Sequence, residues 1–586
     1  MFNNYYLKFG LDLYLPKGEK VADQNVDFQS IYKKSSKSAF WGNADAYYIL
    51  GVLHFIGADM PVNLEEAFRC FEKAMNKKHS TAAYNVFRCY LNGLGCKQDA
   101  NNARAALMKA AELGSSSAYL TLGNYYYKSN AALNIAEDKQ LALKYYKLGA
   151  EKYDAACKEN YAIMLENGIG TTVNLREALK VYHDTASGFA KNKIGMWYCN
   201  GKEVAKDAKK AVYYFERAVE YGNADGMINL GYMYLWGVLP KDEDKIVNLW
   251  CDAALNGSKT NITELIESNI NGDNIQPATF EKMVKVAEYY LKYGNNESVD
   301  QAWNLLMFAN IHDCVSAVNL LGVYYNYFNN GVKDYKQAFD YYKEAADSGC
   351  VEAYANLGDY YMSSPFADKD VQKALQWYLK AAENGDAYSM NKLGCYYLSG
   401  QYVAQDMHQA FYWLKQAADK DYKPAFYNLA RMYEHGDGTT KDINSALYYY
   451  NKGVEQNDAG CAYAAGCLYF HGEGVAKDYS KALQYFQISA CYNGGAKAYY
   501  GIALCYCYGN KELRNFEKAL VNCNNALQQD ANFTPALKLK NDLTDNNNNL
   551  KPTSDLKSVF GDVAGNVVGE VFGNVLSAVL TSGRDD

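Results

Sequence analysis

The stretch AYANLGDYYMSS, residues 353–364, decides the fold, because the chain rewrites it at a fixed interval. Stepping by 36 residues from its glycine, Gly358, reaches Gly322 on one side and Gly394, Ala430 and Gly466 on the other. The same step joins Gly195 to Gly231, and Gly51 to Phe87 to Gly123. Around these residues the sequence reads SMNKLGCYYLSG (389–400), AFYNLARMYEHG (425–436) and GMINLGYMYLWG (226–237). Leucine, a small residue and tyrosine recur at i, i+1 and i+4, which places them on one side of an α-helix, here called helix A.

Twenty residues before most of these small residues stands an alanine: Ala67, Ala103, Ala142, Ala211, Ala302, Ala338, Ala374, Ala410 and Ala446. It opens a second pattern, as in KALQWYLKAAENGD (373–386) and QAFDYYKEAADSG (337–349). Apolar residues recur at i, i+3, i+4, i+7 and i+8, with Lys and Glu between them, so this is an amphipathic helix B. Four residues before each alanine-type position comes a side chain able to cap a helix: Asn63, Asp99, Asp138, Asn174, Asp207, Ser298, Asp334, Asp370, Asp406, Asp442, Asp478 and Asn515. Such side chains accept from the free amides of the first turn. The spacing therefore assigns these acids to capping and not to catalysis. Pro277, Pro424 and Pro535 fall at helix starts, where a missing N–H costs nothing.

Composition narrows the function classes. The 586 residues are 49% hydrophobic with a net charge of −7, so the chain is built to fold, and it has no basic run suited to nucleic acid. The start, MFNNYYLKFGLDLYLPK, is interrupted by Lys8 and Asp12, so a cleaved leader is not expected. No clean apolar run of membrane-spanning length occurs. The 15 cysteines form no C-x-x-C pair and read as small core residues in a reducing, cytoplasmic setting. His435 and His471 sit at helix ends without a ligand cluster, so no metal or cofactor is expected. The loops HGDGTTKD (435–442) and HGEGVAKD (471–478) contain glycine-rich turns but recur at every A–B junction of this kind and read as turn chemistry.

The line A-x-x-x-L-G-x-x-Y followed by D-x-x-K-A-x-x-W-Y-x-K-A-A-x-x-G, in about thirteen units of about 36 residues, resembles the Sel-one-like repeat, a branch of the tetratricopeptide repeat superfamily. The resemblance implies an all-α solenoid, a right-handed superhelix of antiparallel helix pairs, acting as a non-enzymatic scaffold or adaptor for a protein or peptide partner. The expected organisation is a partial capping repeat at 1–45, an N-terminal arm at 46–256, an irregular insert and hinge at 257–297, and a C-terminal arm with a capping helix at 298–543. A polar linker at 544–557 and a glycine-repeat tail at 558–581 follow. The hinge is expected because Gly231 and Ala287 are 56 residues apart, leaving GSKTNITELIESNINGDNIQ (257–276) in excess. Some family members pair cysteines within each repeat; the placement here does not support that.

Two sets of residues are candidates for contact. The residue before the consensus tyrosine, running from Leu53 and Cys89 through Tyr324 and Tyr396 to Met432 and Leu468, lies within the apolar arc and is expected in the core. The opposite face of helix A carries asparagine two residues before the small residue in Asn85, Asn229, Asn356 and Asn428, and three before it in Asn192, Asn319 and Asn391. Helix propensity does not explain this recurrence. An amide both donates and accepts, which suits gripping a peptide backbone, so these seven are the candidate partner contacts. A solvated face, or bonds to a neighbouring loop, would explain them as well.

The tail, VFGDVAGNVVGEVFGN (559–574), sets Gly561, Gly565, Gly569 and Gly573 in a four-residue repeat. In a helix these glycines form a slowly winding groove that permits close helix contact. Asp562 and Glu570 argue against a clean span, and the absence of Lys or Arg before Arg584 argues against anionic lipid. Homo-oligomerisation through this glycine zipper is the expectation. A membrane- or envelope-associated role is the alternative, with docking on the solenoid, a strand or a disordered tail as further readings. The full chain is therefore expected to run larger than a monomer by light scattering at micromolar concentration. Gly565→Leu with Gly569→Leu, or deletion after Leu550, should return it to monomer.

Overall fold

A computed structural model of the chain describes residues 28–40, 42–56, 63–328, 333–363, 370–511 and 513–545. The tail with Gly561, Gly565, Gly569 and Gly573 lies outside these residues. Among the described residues there are 29 α-helices, one 3-10 helix at Ala131–Leu133 and no strand. From Phe28–Phe40 to Glu243–Leu255, and again from Pro277–Tyr293 to Thr534–Asp545, each α-helix packs on the next, so the protein is an all-α solenoid of helix-pair repeats. Two compact units divide the chain. The first runs to Ile262 and takes in Ser268–Asn274; the second holds Thr263–Glu267 and the residues from Ile275 on. The division falls within 257–297, where a short helix, Ile262–Asn269, precedes a 17-residue helix, Pro277–Tyr293.

The helices of a regular repeat are 13 residues long, as in Val351–Ser363 (helix A) and Val371–Glu383 (helix B). Their spacing is set by one contact. The ring of Tyr378 lies on Gly358, where an added Cβ would stand 2.6 Å from the ring. The same arrangement joins Gly51 to Phe71, Gly123 to Tyr146, Gly195 to Phe215 and Gly322 to Tyr342. The small residue is thus needed for close approach of two helices.

The side chain on the glycine also dictates what surrounds it. Where it is tyrosine, its buried hydroxyl needs a partner. Tyr378 donates to Asp359 at 2.6 Å and Tyr146 to Asn124 at 2.7 Å, each acceptor being the residue next to the glycine. Where alanine replaces the glycine, at Ala162 and Ala430, Tyr182 and Tyr450 donate one turn further along, to Glu166 at 2.8 Å and Glu434 at 2.6 Å. Where the ring is Phe71 or Phe486, those positions hold Val52 and Phe55, or Cys467 and Phe470, and no polar group is stranded.

The abundance of tyrosine has a second cause. The consensus tyrosine of helix A stacks on a tyrosine of helix B in Tyr126–Tyr145, Tyr198–Tyr214, Tyr325–Tyr341, Tyr433–Tyr449 and Tyr469–Tyr485, with centroids 5.5 to 5.8 Å apart. Most of the column just before it is core: Leu53, Cys89, Trp197, Met233, Tyr324, Tyr396, Met432 and Leu468 are buried, while Tyr125 and Tyr360 are half-buried.

Eleven of the twelve anticipated caps bond as read. Asp370 shows the pattern: its carboxylate accepts from the Lys373 amide at 3.0 Å, and its own N–H donates to the carbonyl of Tyr361 at 3.2 Å. One residue thereby starts helix B and fastens it to the end of helix A. Ser298 is the exception. Helix Asn296–Asn310 begins earlier, so Asn295 is the cap and Ser298 donates its amide to it at 3.0 Å. Asp242 caps Glu243–Leu255, a position the alanine rule passed over because Ile246 stands where alanine was sought.

The glycine-rich loops are structural. Gly438 has φ +66°, and a Cβ there would fall 2.0 Å from the carbonyl oxygen of Met407, the first residue of helix B in the preceding repeat. Gly474 sits likewise against Ile443.

Gly358→Ala is expected to destabilise the second unit by about 1–3 kcal/mol through overpacking against Tyr378. Gly460→Ala, where an added Cβ would stand 3.3 Å from Asp458 Oδ1 and 3.6 Å from the Tyr427 ring, sets the gain in helix propensity against a tight contact and should change stability by less than about 1 kcal/mol. Denaturant midpoints followed by circular dichroism check the pair.

Candidate partner-binding face

Seven asparagines of helix A were the candidates, and the structure pairs four of them. Asn356 Nδ2 donates to Asn319 Oδ1 at 2.8 Å, and Asn229 Nδ2 donates to Asn192 Oδ1 at 2.8 Å. Each bond joins the helices A of two successive repeats. The residue two before the small residue of one helix meets the residue three before it in the previous helix. The same register brings Tyr84 OH to Thr121 Oγ1 at 3.1 Å.

A third pair, Asn391 and Asn428, has the same spacing but a different bond. Asn428 Nδ2 reaches Cys395 Sγ at 3.5 Å, one turn along, and Asn391 Oδ1 is buried without a hydrogen bond among the described residues. Asn85 is fully buried next to Tyr84.

The placement expected from sequence needs correction. Asn85, Asn192, Asn319, Asn356 and Asn391 are buried, not turned to an open groove, and only Asn229 and Asn428 keep part of the side chain at the surface. The reason is that helix A packs against the helix A of the next repeat as well as against helix B. Its polar face becomes an inter-repeat seam. The signal was present in the sequence: 192 and 229, 319 and 356, and 391 and 428 are each 37 apart, one repeat plus one residue.

The seam carries a charge pair that sequence reading missed. Lys392 occupies the position of Asn356 in the next repeat, is buried, and lies 5.1 Å from the Tyr388 ring. It faces Asp359, whose carboxylate accepts from Tyr378 at 2.6 Å and from Tyr388 at 2.9 and 3.0 Å. Burial pushes the Asp359 carboxyl above its usual range, against the charge of Lys392 and the two phenol bonds. The arrangement holds a proton or a charge between repeats; it presents no nucleophile. Burial also pushes thiols up, Cys70 and Cys395 to about 11, so they stay protonated at neutral pH. His435 bonds its own helix end through Arg431 O at 3.1 Å. Among the described residues no three His, Cys, Asp or Glu side chains gather to hold a metal, and no helix is long and apolar enough to cross a membrane.

Comparison with known proteins places this geometry. A family profile described as Sel1 repeat matches residues 44–79, 80–115, 116–154, 155–182, 188–223, 224–258, 315–350, 351–386, 387–422, 424–458, 459–491 and 496–521. The chain is 26% identical over 242 residues to chitin synthase regulatory factor 2 of Schizosaccharomyces pombe, covering 38% of this chain and 46% of that one. It therefore spans less than half the length of that relative. Among solved structures, a Sel1 repeat protein from Oxalobacter formigenes is 28% identical, with 42% of this chain and 97% of that chain covered and a TM-score of 0.35. A protective antigen of uropathogenic Escherichia coli with the SLR fold is 20% identical over 90% of this chain and 99% of that one, with a TM-score of 0.34.

Asn356→Ala should cost about 1–3 kcal/mol, because it leaves the Asn319 amide buried and unbonded. A double-mutant cycle with Asn319→Ala should return a coupling of about 0.5–3 kcal/mol, read from denaturant midpoints.

Proposed function

Because the chain belongs to the Sel1 repeat family, we propose that it is a non-enzymatic scaffold that binds a protein or peptide partner along the helix A side of its repeats. The observation that carries this reading is that the repeated polar residues are consumed by the fold. The acids at the repeat positions cap helices, the glycines seat helices and loops, and paired amides join repeats, which among the described residues leaves a modular surface and no gathered set of metal-ligating groups. The relative named as a regulatory factor supports a role in controlling another protein; its own target is not carried over to this chain.

Within the seven candidate amides we propose a division of labour. Asn229 and Asn428, partly at the surface, touch the partner. Asn192, Asn319 and Asn356, with the bond Asn229 gives to Asn192, hold the helices A in register, and Asn85 and Asn391 lie buried beneath the surface. The two arms, 46–256 and 298–543, act as separate binding platforms in a cytoplasmic setting, with 257–297 between them. The alternative, assembly or envelope association through Gly561, Gly565, Gly569 and Gly573, is distinguished by deletion.

Affinity capture with the full chain, and with a chain ending at Leu550, tests the reading. A partner retained by both supports the repeat surface, and one lost with the tail supports the alternative. Asn229→Ala with Asn428→Ala should weaken a retained partner roughly tenfold, in line with about 0.7 kcal/mol for each of two interfacial hydrogen bonds, and should lower the denaturant midpoint as well, because Asn192 loses its bond, while the helical circular dichroism at 25 °C is retained. Unaltered affinity would remove these two amides from the contact surface.

A further inference from the structure

The repeat at 155–182 is built differently from its neighbours. Its helix B, Leu175–His183, has 9 residues, against 13 in Ala208–Glu220 of the next repeat. About one turn of helix is missing, and the next helix A, Gly188–Asn200, begins after four residues. The carbonyls at a helix end lack partners within the helix, and here lysines supply them. Lys158, itself buried in helix Ala155–Asn167, donates to the Asp184 carboxylate at 2.5 Å and to the Asp184 carbonyl at 3.1 Å. Lys191, from the next helix A, donates to the carbonyls of Thr185 at 3.0 Å and His183 at 3.4 Å.

A second cluster closes the other end of the same repeat. Glu166 has a side chain only 6% exposed. It accepts from Tyr182 at 2.8 Å, from Trp197 Nε1 at 3.3 Å and from Lys202 at 2.7 Å, and pairs with Lys193 at 3.4 Å. Tyr182 belongs to the short helix, Lys193 and Trp197 to the next helix A, and Lys202 to the loop beyond it. One carboxylate thus ties three elements. A buried carboxylate of this kind stabilises only while it stays charged and fully bonded.

We infer that residues 155–207 form an electrostatic joint in the first unit, where ion pairs replace a missing turn of helical packing and the array opens first in acid. Burial acts to raise the Glu166 carboxyl, but the bonds from Lys202 and Tyr182 and the charges of Lys193 and Lys202 win and hold it below its usual range. Its contribution to stability is therefore present above the unfolded-state value and lost as pH falls through the lowered folded-state value. Asp184, facing Lys158, Lys180 and Lys191, is held down in the same direction. His183 is lowered by burial and by Lys191, so its protonation in acid also opposes the fold. All three groups push the same way.

Hydrogen exchange of the full chain by mass spectrometry, at pH 7, 5 and 3.5 and corrected for intrinsic rates, tests the joint. Peptides within 155–207 should lose protection roughly tenfold or more before those within 80–128. Glu166→Gln should raise exchange in 155–207 at pH 7 and remove most of its acid response. Lys202→Met, which changes a partly exposed lysine and keeps the fold, should give a smaller rise confined to the same segment. Protection that falls evenly along the chain in acid, or a Glu166→Gln protein whose 155–207 segment still responds as wild type does, would overturn the inference.

Discussion

The structure depends on a ring lying on a residue with no side chain. At Gly51, Gly123, Gly195, Gly322 and Gly358 the absence of a Cβ lets helix B approach helix A until an aromatic ring touches backbone, at Gly394 the side chain so placed is Leu414, and at Ala162 and Ala430 a methyl group is accommodated. That contact sets the distance within a pair, and a pair at that distance is the unit that stacks. Protein interiors tolerate neither overlap nor void, so a single methyl group at this point is felt. The demand then spreads outward. A tyrosine ring brings a hydroxyl into the core, so an acceptor must stand beside the glycine or one turn beyond, as Asp359, Asn124, Glu166 and Glu434 do. A phenylalanine ring removes that demand.

Between repeats a different constraint operates. Apolar packing alone would let neighbouring helices A slide, whereas buried polar groups cost free energy unless they meet their partners. The Asn192–Asn229 and Asn319–Asn356 amides, and Asp359 with the Tyr388 hydroxyl of the next repeat, meet only when successive repeats are offset by one defined step. The fold thus uses apolar contact for cohesion and polar contact for register. Residues 155–207 shift this balance toward charge, with a shortened helix finished by lysines.

For function, the consequence is that polar residues in a repeat array are a poor guide to a binding surface when read one at a time. The capping acids and the glycine-rich loops have structural work, and four of the seven helix A asparagines, Asn192, Asn229, Asn319 and Asn356, bond between repeats.

Much of this was legible in the sequence. The period of 36, the two helices and eleven of twelve caps follow from spacing, because helix periodicity, capping and close approach are local requirements written in single residues. Ser298 was misread because the helix there starts one turn earlier, and Asp242 was passed over because Ile246 stands where the rule sought alanine. The direction of the asparagine face was decided by tertiary structure alone. A helix with one apolar arc suggests an outside, but helix A has neighbours on more than one side, and only packing shows that its polar arc meets another helix. The Asp359–Lys392 pair was invisible for the same reason: 33 residues separate the two positions, neither departs from an ordinary surface composition, and their burial exists only once two repeats are stacked.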